Sequence, residues 1–362
     1  MNARRNSAVL LFVLPAWLLT VSSDNISGSL AESDCSVSVF DNSFTSELNT
    51  AAPDLVVTAS VFDTRTNCWY ELHPENRLTT ASAIKLQVLS ANLLKNQRQG
   101  SELSATLTNY AERMLWFSHN SPPTSVLYGR VGTEGMRDYS ELVGATDTTH
   151  SSTYGITRAS ARDLTLVALS TIDANYPGPL TQENRALARQ LLSGVHPSQR
   201  WGISAGLPSG WTSFLKNGFY PCSSSNCAPF AGEYTWRVAS TGYNEAPGAM
   251  RGYGISILTD GAKSQMEGVE AVELISRHVA AHLSEGESTD RVFDTANCTQ
   301  VVRGESSTNI AGRLGLSSTD WAEILSTSGG AGPLSGQLMC GDEPRAKTQQ
   351  CICPARPLAI VS

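Results

Sequence analysis

Apolar and β-branched residues near the N-terminal end of the chain form two short segments around a polar turn. Residues 55–62 make the first segment, the turn-forming residues 63–67 follow, and residues 68–72 make the second. Two such segments joined by a short turn predict a β-hairpin. From Ser82 to Gln97 the apolar residues cover most of a helical circumference, which predicts a helix buried inside the protein, with Thr80 in position to cap it.

The rest of the first 290 residues continues the same kind of pattern. A mostly helical region is expected to about Leu192, strand signals return around 213–219, 234–243 and 253–259, and a last amphipathic helix is predicted over 264–283. Strands grouped at both ends of a helical block indicate an antiparallel sheet with helices packed against it. The predicted fold class is therefore α+β.

The polar and acidic residues that follow predict a linker at 286–298, with a domain boundary near residue 290. The segment 299–344 has its own pattern of strand, helix, helix and strand, which indicates a small βααβ module, and a proline-containing tail covers 345–362. The chain of 362 residues is therefore expected to hold one large domain, at 36–285, and one small module.

The N-terminal residues have the three parts of an export signal. Arg4 and Arg5 supply positive charge, residues 8–19 are apolar, and residues 21–23 are small. We therefore predict a signal peptide at 1–23 and a secreted, cell-wall-associated protein. The apolar run is shorter than the roughly 20 residues that span a membrane, so no membrane span is expected, and a membrane anchor is the alternative.

Composition narrows the functional classes. Hydrophobic residues make up 41% and charged residues 16% of the chain, which permits an ordinary core and excludes a wholly disordered or fibrous protein. Lys and Arg number 26 against 33 Asp and Glu, for a net charge of −7, and no basic run occurs beyond the first residues. Nucleic acid is therefore not expected as a partner.

Eight cysteines behind an export signal indicate disulfides rather than free thiols. Cys222 and Cys227 bracket a short polar loop and are the simplest local pair. Zinc is the competing interpretation, but the cysteine spacing is poor for it. His278 and His282 are four apart on a predicted helix without a flanking acid, so no metal site is predicted.

The segment Ser82-Ala83-Ile84-Lys85 carries the first candidate chemistry. A helix places its serine and lysine on one face, with Cβ atoms about 5–6 Å apart. A serine hydroxyl needs a base to become a nucleophile, and an amine can serve if burial and a second cation lower its pKa. A lysine inside an otherwise apolar helix costs free energy, which favours a functional role.

Two further motifs lie where such a site needs them. One closes a helix before a pair of prolines and the other lies on a predicted strand. Taken singly, each has an ordinary structural explanation, as a helix cap or as a solvent-facing lysine beside a glycine. The motifs are Ser118-His119-Asn120 and Lys216-Asn217-Gly218.

In this order the three motifs resemble those of the class A β-lactamase and penicillin-binding superfamily of serine hydrolases. The chain is most similar to an actinobacterial branch, through the phrases at 80–86, 155–157, 160–164 and 236–242. The resemblance covers residues 36–285. It implies a β-lactamase/transpeptidase-like fold and an acyl-transfer mechanism with no cofactor.

The resemblance also implies a role for each matching residue. Ser82 would attack a carbonyl and Lys85 would act as its base. Ser118 would relay the proton to the leaving nitrogen. Lys216 would hold the substrate carboxylate and help to lower the pKa of Lys85 by charge repulsion.

The implied substrate-binding set completes the site. Asn120 would hydrogen-bond the substrate amide, and Asn217, Gly218 and Phe219 would line the binding strand. The backbone N–H groups of Ser82 and Phe219 would form an oxyanion hole. Such a site suits β-lactams and D-Ala-D-Ala peptides, which place an amide beside a carboxylate.

The chain departs from the class A pattern in two ways. His119 stands where an aspartate is usual, and no Glu-x-x-Leu-Asn phrase lies between Ser118 and Lys216. Glu134 and Glu141 lie in this region, but nothing in their context marks them as the deacylating base. We therefore expect either an acyl-enzyme that persists, as in penicillin-binding proteins, or an ordinary ester or amide substrate.

Residues 302–317, followed by Trp321, Ile324 and Leu325, resemble a LysM carbohydrate-binding module. The resemblance implies binding of N-acetylglucosamine polymers, peptidoglycan or chitin, between two loops of the module. The loop residues are Gly304, Glu305, Ser306, Ser326 and Thr327.

A module of this size has a small core that benefits from a disulfide. Cys298 and Cys340 lie at its two ends and are candidate partners; alternatively Cys340 pairs with Cys351 or Cys353. A small appendage that binds no ligand is the alternative interpretation of the module.

We therefore expect a secreted serine hydrolase held at a cell-wall polymer. Two alternatives stay open. One is a non-catalytic glycan-binding protein on a degenerate hydrolase scaffold, and the other is a penicillin-binding carboxypeptidase that forms long-lived acyl-enzymes.

Overall fold

The computed structural model describes Cys35 and residues 38–223, 233–248 and 252–284, together with two short strands near the C-terminus. The predicted signal peptide, tail, nearly all of the linker and most of the LysM-like module lie outside the described residues. Within the described residues, none of the helices combines the length and the apolar character needed to cross a bilayer.

A five-stranded antiparallel sheet forms the centre of the large domain and confirms the predicted α+β class. The predicted hairpin and the three later strands are all present. The first strand of the hairpin pairs with the strand that comes last in the sequence of the large domain. The strand order is β2-β1-β7-β6-β5. The strands are β1 (Val56–Asp63), β2 (Cys68–Leu72), β5 (Thr212–Cys222), β6 (Thr235–Glu245) and β7 (Gly252–Ala262).

Helices cover both faces of this sheet. Helices α2 to α6 pack on one face and share one hydrophobic core, whereas α1 and α7 pack on the other face around a second core. The helices are α1 (Asn42–Ala51), α2 (Lys85–Arg98), α3 (Ala105–Trp116), α4 (Ser125–Val143), α5 (Ala161–Ile172), α6 (Gln182–Ser193) and α7 (Gln265–Leu283). Strands β6 and β7 are therefore buried on both sides.

Helix α2 is buried as predicted, but its start differs from the prediction. The segment Ala81–Ile84 forms a 3₁₀ turn, and the α-helix begins at Lys85. Thr80 makes no capping hydrogen bond, so the predicted cap is wrong. Its backbone is already helical, whereas a capping residue needs an extended backbone to turn its hydroxyl towards the helix.

Helix α1 was not predicted, because only two of its side chains are buried. Phe44 and Leu48 face the second core, and the ring of Phe44 stacks on His278 of α7 at 3.8 Å between centroids. Asp41 caps the helix by accepting a hydrogen bond from the N–H of Phe44 at 2.8 Å. A hydrophobic pattern of two residues is too weak to be recognised in the sequence.

A second, two-stranded sheet was also missed. Strands β3 (Leu78–Thr79) and β4 (Arg158–Ala159) pair antiparallel, and the N–H of Thr80 donates to Thr157 O at 2.9 Å. These bonds hold the residues just before position 82 against the segment that leads into α5. Strands of two residues leave no periodic signal.

The prediction of disulfides is confirmed in the large domain. Cys35 is bonded to Cys68 at the start of β2, and Cys222 at the end of β5 is also disulfide-bonded. The predicted partner of Cys222, at position 227, lies outside the described residues. Near the C-terminus, strands β8 (Cys298–Gln300) and β9 (Leu338–Cys340) pair antiparallel.

Candidate active site

The nucleophile candidate Ser82 lies in the 3₁₀ turn at the start of α2, where its side chain is partly exposed. Its neighbours Ala81, Ala83 and Ile84 are buried and fix the turn in the core. Lys85 follows one turn later and is fully buried. The turn therefore places a partly exposed serine one turn before a lysine that is shielded from water.

Ser118 lies directly after α3, next to this amine. Lys85 Nζ is 2.6 Å from the carbonyl oxygen of Ser118 and 3.1 Å from its Oγ. The backbone of Ser118 has a φ of 57°, in the left-handed region that a non-glycine residue seldom adopts. Holding such a conformation costs about 1–3 kcal/mol, and residues of this kind concentrate at functional sites.

Asn120 begins the turn Asn120–Thr124 and contacts the same amine. Its side-chain Oδ1 accepts one hydrogen bond from Lys85 Nζ at 2.8 Å and another from the hydroxyl of Tyr154 at 2.9 Å. Thus three of the residues predicted from separate motifs, Lys85, Ser118 and Asn120, converge in space.

The two carbonyl-type acceptors of Lys85 matter for its chemistry. A neutral amine has two protons and one lone pair. Its two N–H groups donate hydrogen bonds to the backbone oxygen of Ser118 and to Oδ1 of Asn120, with N···O distances of 2.6 and 2.8 Å. The lone pair is then left for a hydroxyl, which is what a general base requires.

Lys216 lies on β5, on the side of the sheet that faces Lys85, and is only 1% exposed. Its Nζ donates to the backbone oxygen of Asn217 at 2.6 Å. Side chains alternate along a strand, so Lys216 and Gly218 share a face. Gly218 packs directly on the backbone of Ser82 and Ala83.

Burial controls the charge of both amines. The pKa of Lys85 lies well below its usual value, first because of burial and second because of the positive charge of Lys216. Burial lowers the pKa of Lys216 to about 7. The lowered pKa favours the neutral form of Lys85, which is the form that a general base requires.

Asn217 and Phe219 occupy the opposite face of β5. The Nδ2 of Asn217 donates to the backbone oxygens of Gln199 and Trp201 at 2.7 and 2.8 Å, and its Oδ1 accepts from the hydroxyl of Ser240 at 2.6 Å. The Asn217 side chain, predicted to bind substrate, thus faces away from Lys85 and holds the 199–202 segment.

The ring of Phe219 lies near Trp236, at 6.2 Å between centroids. The predicted oxyanion role of Phe219 needs its backbone N–H and not this ring. Gly218, the residue directly before Phe219, packs against the backbone nitrogen of Ser82. The N–H of Phe219 therefore follows directly after this contact.

No family model matches the sequence, and no curated protein matches it at a significant level. Solved structures do match. A single-site mutant of PBP-A, in an acyl-enzyme complex with penicillin G, shares 16% identity with this chain at a TM-score of 0.53, over 66% of this chain and 96% of its own. The described domain therefore corresponds to nearly the whole of that protein.

Class A β-lactamases match to the same degree. The enzyme from Bacteroides cellulosilyticus is 11% identical at a TM-score of 0.55, over 67% of this chain and 98% of its own. The chromosome-encoded β-lactamase of Vibrio parahaemolyticus is 13% identical at 0.54, over 68% and 99%. The chain has the β-lactamase/transpeptidase-like fold. Identity at this level establishes the fold alone, and the actinobacterial likeness stays a prediction.

Within this β-lactamase-like fold, His119 occupies the middle of the second motif. It is buried, and its ring stacks on Phe117 at 5.6 Å between centroids. Burial lowers the pKa of His119 below 6.5, and the positive charges of Arg113 and Lys85 act in the same direction. The residue therefore favours its neutral form and adds no negative charge beside Lys85.

Acidic side chains in the described part of the chain are not bonded to the candidate site residues. Among the described residues, no carboxylate hydrogen-bonds to the side chains of Ser82, Lys85, Ser118, Asn120 or Lys216. Glu134 lines a surface groove between α2 and α4 beside Lys95 and Arg98, and Glu141 is exposed on α4. Neither of these glutamates has a contact with the site.

Tyr154 is the residue that sequence reasoning missed. It lies in the turn Tyr154–Ile156, donates to Asn120, and its ring centroid is 5.9 Å from Lys85 Nζ. It directly precedes the Gly155-Ile156-Thr157 phrase that contributed to the family resemblance. This adjacency is the feature of the sequence that could identify Tyr154 as a site residue.

The remaining predicted site residues can be placed only in part. Gly304, Glu305, Ser306, Ser326 and Thr327 lie outside the described residues. Across the described ranges, no group of three or more His, Cys, Asp or Glu side chains could hold a metal ion. His278 instead hydrogen-bonds the backbone oxygen of Val39 through Nε2, at 2.7 Å.

Proposed function

We propose that this protein is a serine hydrolase that forms an acyl-enzyme on β-lactams or on D-Ala-D-Ala-like amides. The convergence of Ser118 and Asn120 on the buried amine of Lys85 carries this proposal. A buried lysine with no carboxylate partner is costly to keep in a core, and a base beside a serine accounts for it.

In the acylation step, the Oγ of Ser82 attacks the carbonyl carbon of the scissile amide while its proton passes to neutral Lys85. The backbone N–H groups of Ser82 and Phe219 stabilise the negative oxygen of the tetrahedral intermediate. The C–N bond then breaks, and the proton moves from Lys85 through the hydroxyl of Ser118 to the leaving nitrogen. The result is an ester on Ser82 and a neutral amine, with Lys85 returned to its neutral form.

Lys216 would contribute by charge. Its ammonium group would hold the substrate carboxylate, and its charge helps to keep Lys85 unprotonated. Because Lys216 is buried, water competes less for its ammonium group, and any ion pair that it forms with a substrate carboxylate is stronger.

We further propose that the acyl-enzyme is long-lived. Hydrolysis of the ester needs a base that activates water, and none of the described carboxylates hydrogen-bonds to the site residues. This behaviour would correspond to a penicillin-binding protein or carboxypeptidase more than to a β-lactamase.

Labelling with a fluorescent penicillin tests the acylation step. The full-length protein should become covalently labelled, and Ser82→Ala should lose all labelling. Ser193→Ala, a change of a partly exposed serine at the end of α6, is the matched control and should label normally. A wild-type protein that remains unlabelled would rule out the proposed acyl-transfer function for β-lactams.

A time course with a chromogenic cephalosporin tests the lifetime. We expect a burst equal to the enzyme concentration followed by a very slow steady state. Rapid sustained turnover would show that an efficient deacylating group exists and would contradict the proposed persistence.

We also propose secretion and attachment to a cell-wall glycan through the LysM-like module. The sequence phrase 302–317 supports this proposal, together with the pairing of β8 and β9, in which Cys298 lies opposite Cys340. Tethering would raise the effective concentration of peptide substrates at the wall.

Sedimentation of the full-length protein with insoluble peptidoglycan and chitin tests this attachment. Binding should persist in Ser82→Ala and should weaken in Glu305→Ala. Equal sedimentation of the wild type with and without polymer would contradict the attachment. If Ser82→Ala and wild type bind alike and neither is acylated, the alternative of a non-catalytic glycan-binding protein is favoured.

A further inference from the structure

The amide group of Asn120 has a fixed orientation that depends on a residue outside the three motifs. Its Oδ1 accepts from both Lys85 Nζ and the Tyr154 hydroxyl, at 2.8 and 2.9 Å. Its Nδ2 makes no hydrogen bond to any described residue. With the oxygen held from two sides, the NH₂ group is the part of the side chain available to a substrate.

Tyr154 is itself firmly positioned. Its ring packs against Tyr128 at 5.5 Å between centroids, and the hydroxyl of Tyr128 donates to Ser151 O at 2.6 Å. The N–H of Thr157 donates to Tyr154 O at 3.1 Å, and Thr157 O accepts from the N–H of Thr80 at 2.9 Å. Two backbone hydrogen bonds therefore connect Tyr154, through Thr157, to Thr80, which lies two residues before Ser82.

The phenol also remains a hydrogen-bond donor at every pH at which the site can work. Burial raises the pKa of Tyr154 above its ordinary value of 10. The hydroxyl therefore keeps its proton, and the carbonyl oxygen of Asn120 is the acceptor that this proton meets.

We propose that Tyr154 is a positioning residue that holds the Asn120 amide with its NH₂ group towards the substrate. An NH₂ group can only donate, so it stabilises a bound substrate that places a carbonyl acceptor at that point and not one that lacks it. The inference rests on the proposed acyl-transfer function and adds to that site a residue outside the three motifs.

Two β-lactams that share one reactive ring test the inference. Penicillin G carries an acylamino carbonyl, whereas the penicillin nucleus, aminopenicillanic acid, has a free amine at the same place. In Tyr154→Phe we expect the second-order acylation rate with penicillin G to fall about tenfold, the effect of one lost hydrogen bond. With the nucleus the rate should change less than twofold.

Two controls separate positioning from general damage. Tyr70→Phe removes a tyrosine hydroxyl from β2, at the opposite edge of the sheet from β5, and should leave both rates unchanged. In an Asn120→Ala background, Tyr154→Phe should have no further effect on penicillin G, because the group that it orients is gone.

The possible outcomes are distinct. An equal loss with both β-lactams, no loss with either, or a full tenfold loss in the Asn120→Ala background would each overturn the role assigned to Tyr154. If wild type is acylated by neither compound, the proposed function itself fails, and the inference fails with it for that separate reason.

Discussion

Gly218 on β5 lies against the backbone nitrogen of Ser82, and a Cβ atom at position 218 would come within 2.5 Å of that nitrogen. It would also come within 2.4 Å of the nitrogen of Ala83 and 2.8 Å of the oxygen of Thr80. All three are backbone atoms of a buried turn, so they cannot rotate away. The close approach of this strand to Ser82 therefore requires glycine.

Gly218→Ala should separate β5 from the turn that carries Ser82. Lys216 and the N–H of Phe219 belong to the same strand and would move with it. A displacement of this size in a catalytic site reduces the rate on the order of 100-fold. The measurement is the second-order rate of acylation by a fluorescent penicillin, with circular dichroism to show that the fold is retained.

Gly129→Ala is the matched control. A Cβ at position 129 of α4 meets no atom within 4 Å, so the change should leave acylation unaltered and should stabilise the helix slightly. Equal acylation rates for Gly218→Ala and wild type would show that β5 is not held where the contact indicates.

The pH dependence of acylation should depend on Lys216. Acylation needs neutral Lys85, so the rate rises with pH through the pKa of that lysine. The charge of Lys216 helps to lower that pKa, so its removal in Lys216→Met should raise the pKa of Lys85. The acid limb of the profile for the second-order acylation rate should therefore move to higher pH.

The alkaline limb should also report on Lys216. Its pKa is about 7 in the free protein, and above that pH it loses the charge that would hold the substrate carboxylate. In Lys216→Arg the guanidinium keeps its charge, so the alkaline limb should disappear and the acid limb should stay in place. An acid limb that is identical in wild type and Lys216→Met would contradict the coupling of the two lysines.

Asn217→Ala should affect stability more than chemistry. The change deletes hydrogen bonds to Gln199 O and Trp201 O and leaves the hydroxyl of Ser240 without its acceptor. The loss of these buried bonds should lower the free energy of unfolding by about 2–4 kcal/mol, measured by urea denaturation. Asn175→Ala, a change of an exposed asparagine, should stay within about 0.5 kcal/mol of wild type.

Acylation measured under conditions where Asn217→Ala is folded should remain within a few-fold of wild type. A large loss of acylation without a loss of stability would show instead that the side chain acts on substrate, as the family resemblance implied.

The disulfide between Cys35 and Cys68 should stabilise the fold without affecting the site. It joins residues 33 positions apart, and a loop of this length corresponds to about 3–4 kcal/mol from the restricted unfolded chain. Cys35→Ala, Cys68→Ala and the double variant should all lose the same amount in urea denaturation, because each removes the same bond. Their acylation rates should match wild type, and unequal losses among the three would contradict the estimate.

Much of the architecture could be predicted from the sequence. The hairpin, the three long strands and the two buried helices α2 and α7 each contain enough apolar residues to give a clear pattern. Ser82, Lys85, Ser118 and Lys216 could be named because each stands in a short motif with recognisable spacing. The roles assigned to them remain proposals.

Other features had no local signal. The face on which Asn217 lies follows from strand alternation, yet only the packing of the 199–202 segment shows that its amide is already fully bonded. Tyr154 is 34 residues from Asn120 in sequence, and their contact depends on the pairing of β3 with β4. Neither strand is long enough to be recognised.

The sequence by itself determined the order and type of the large elements, since hydrophobic periodicity is a local property of the chain. It also determined which residue types were available for chemistry. Only the tertiary structure decided which of these side chains meet, how deeply each amine is buried and which protons it can keep. Burial and charge repulsion act through space. The pKa of Lys85 is lowered first by burial in the core and second by the charge of Lys216, which lies more than a hundred residues further along the chain.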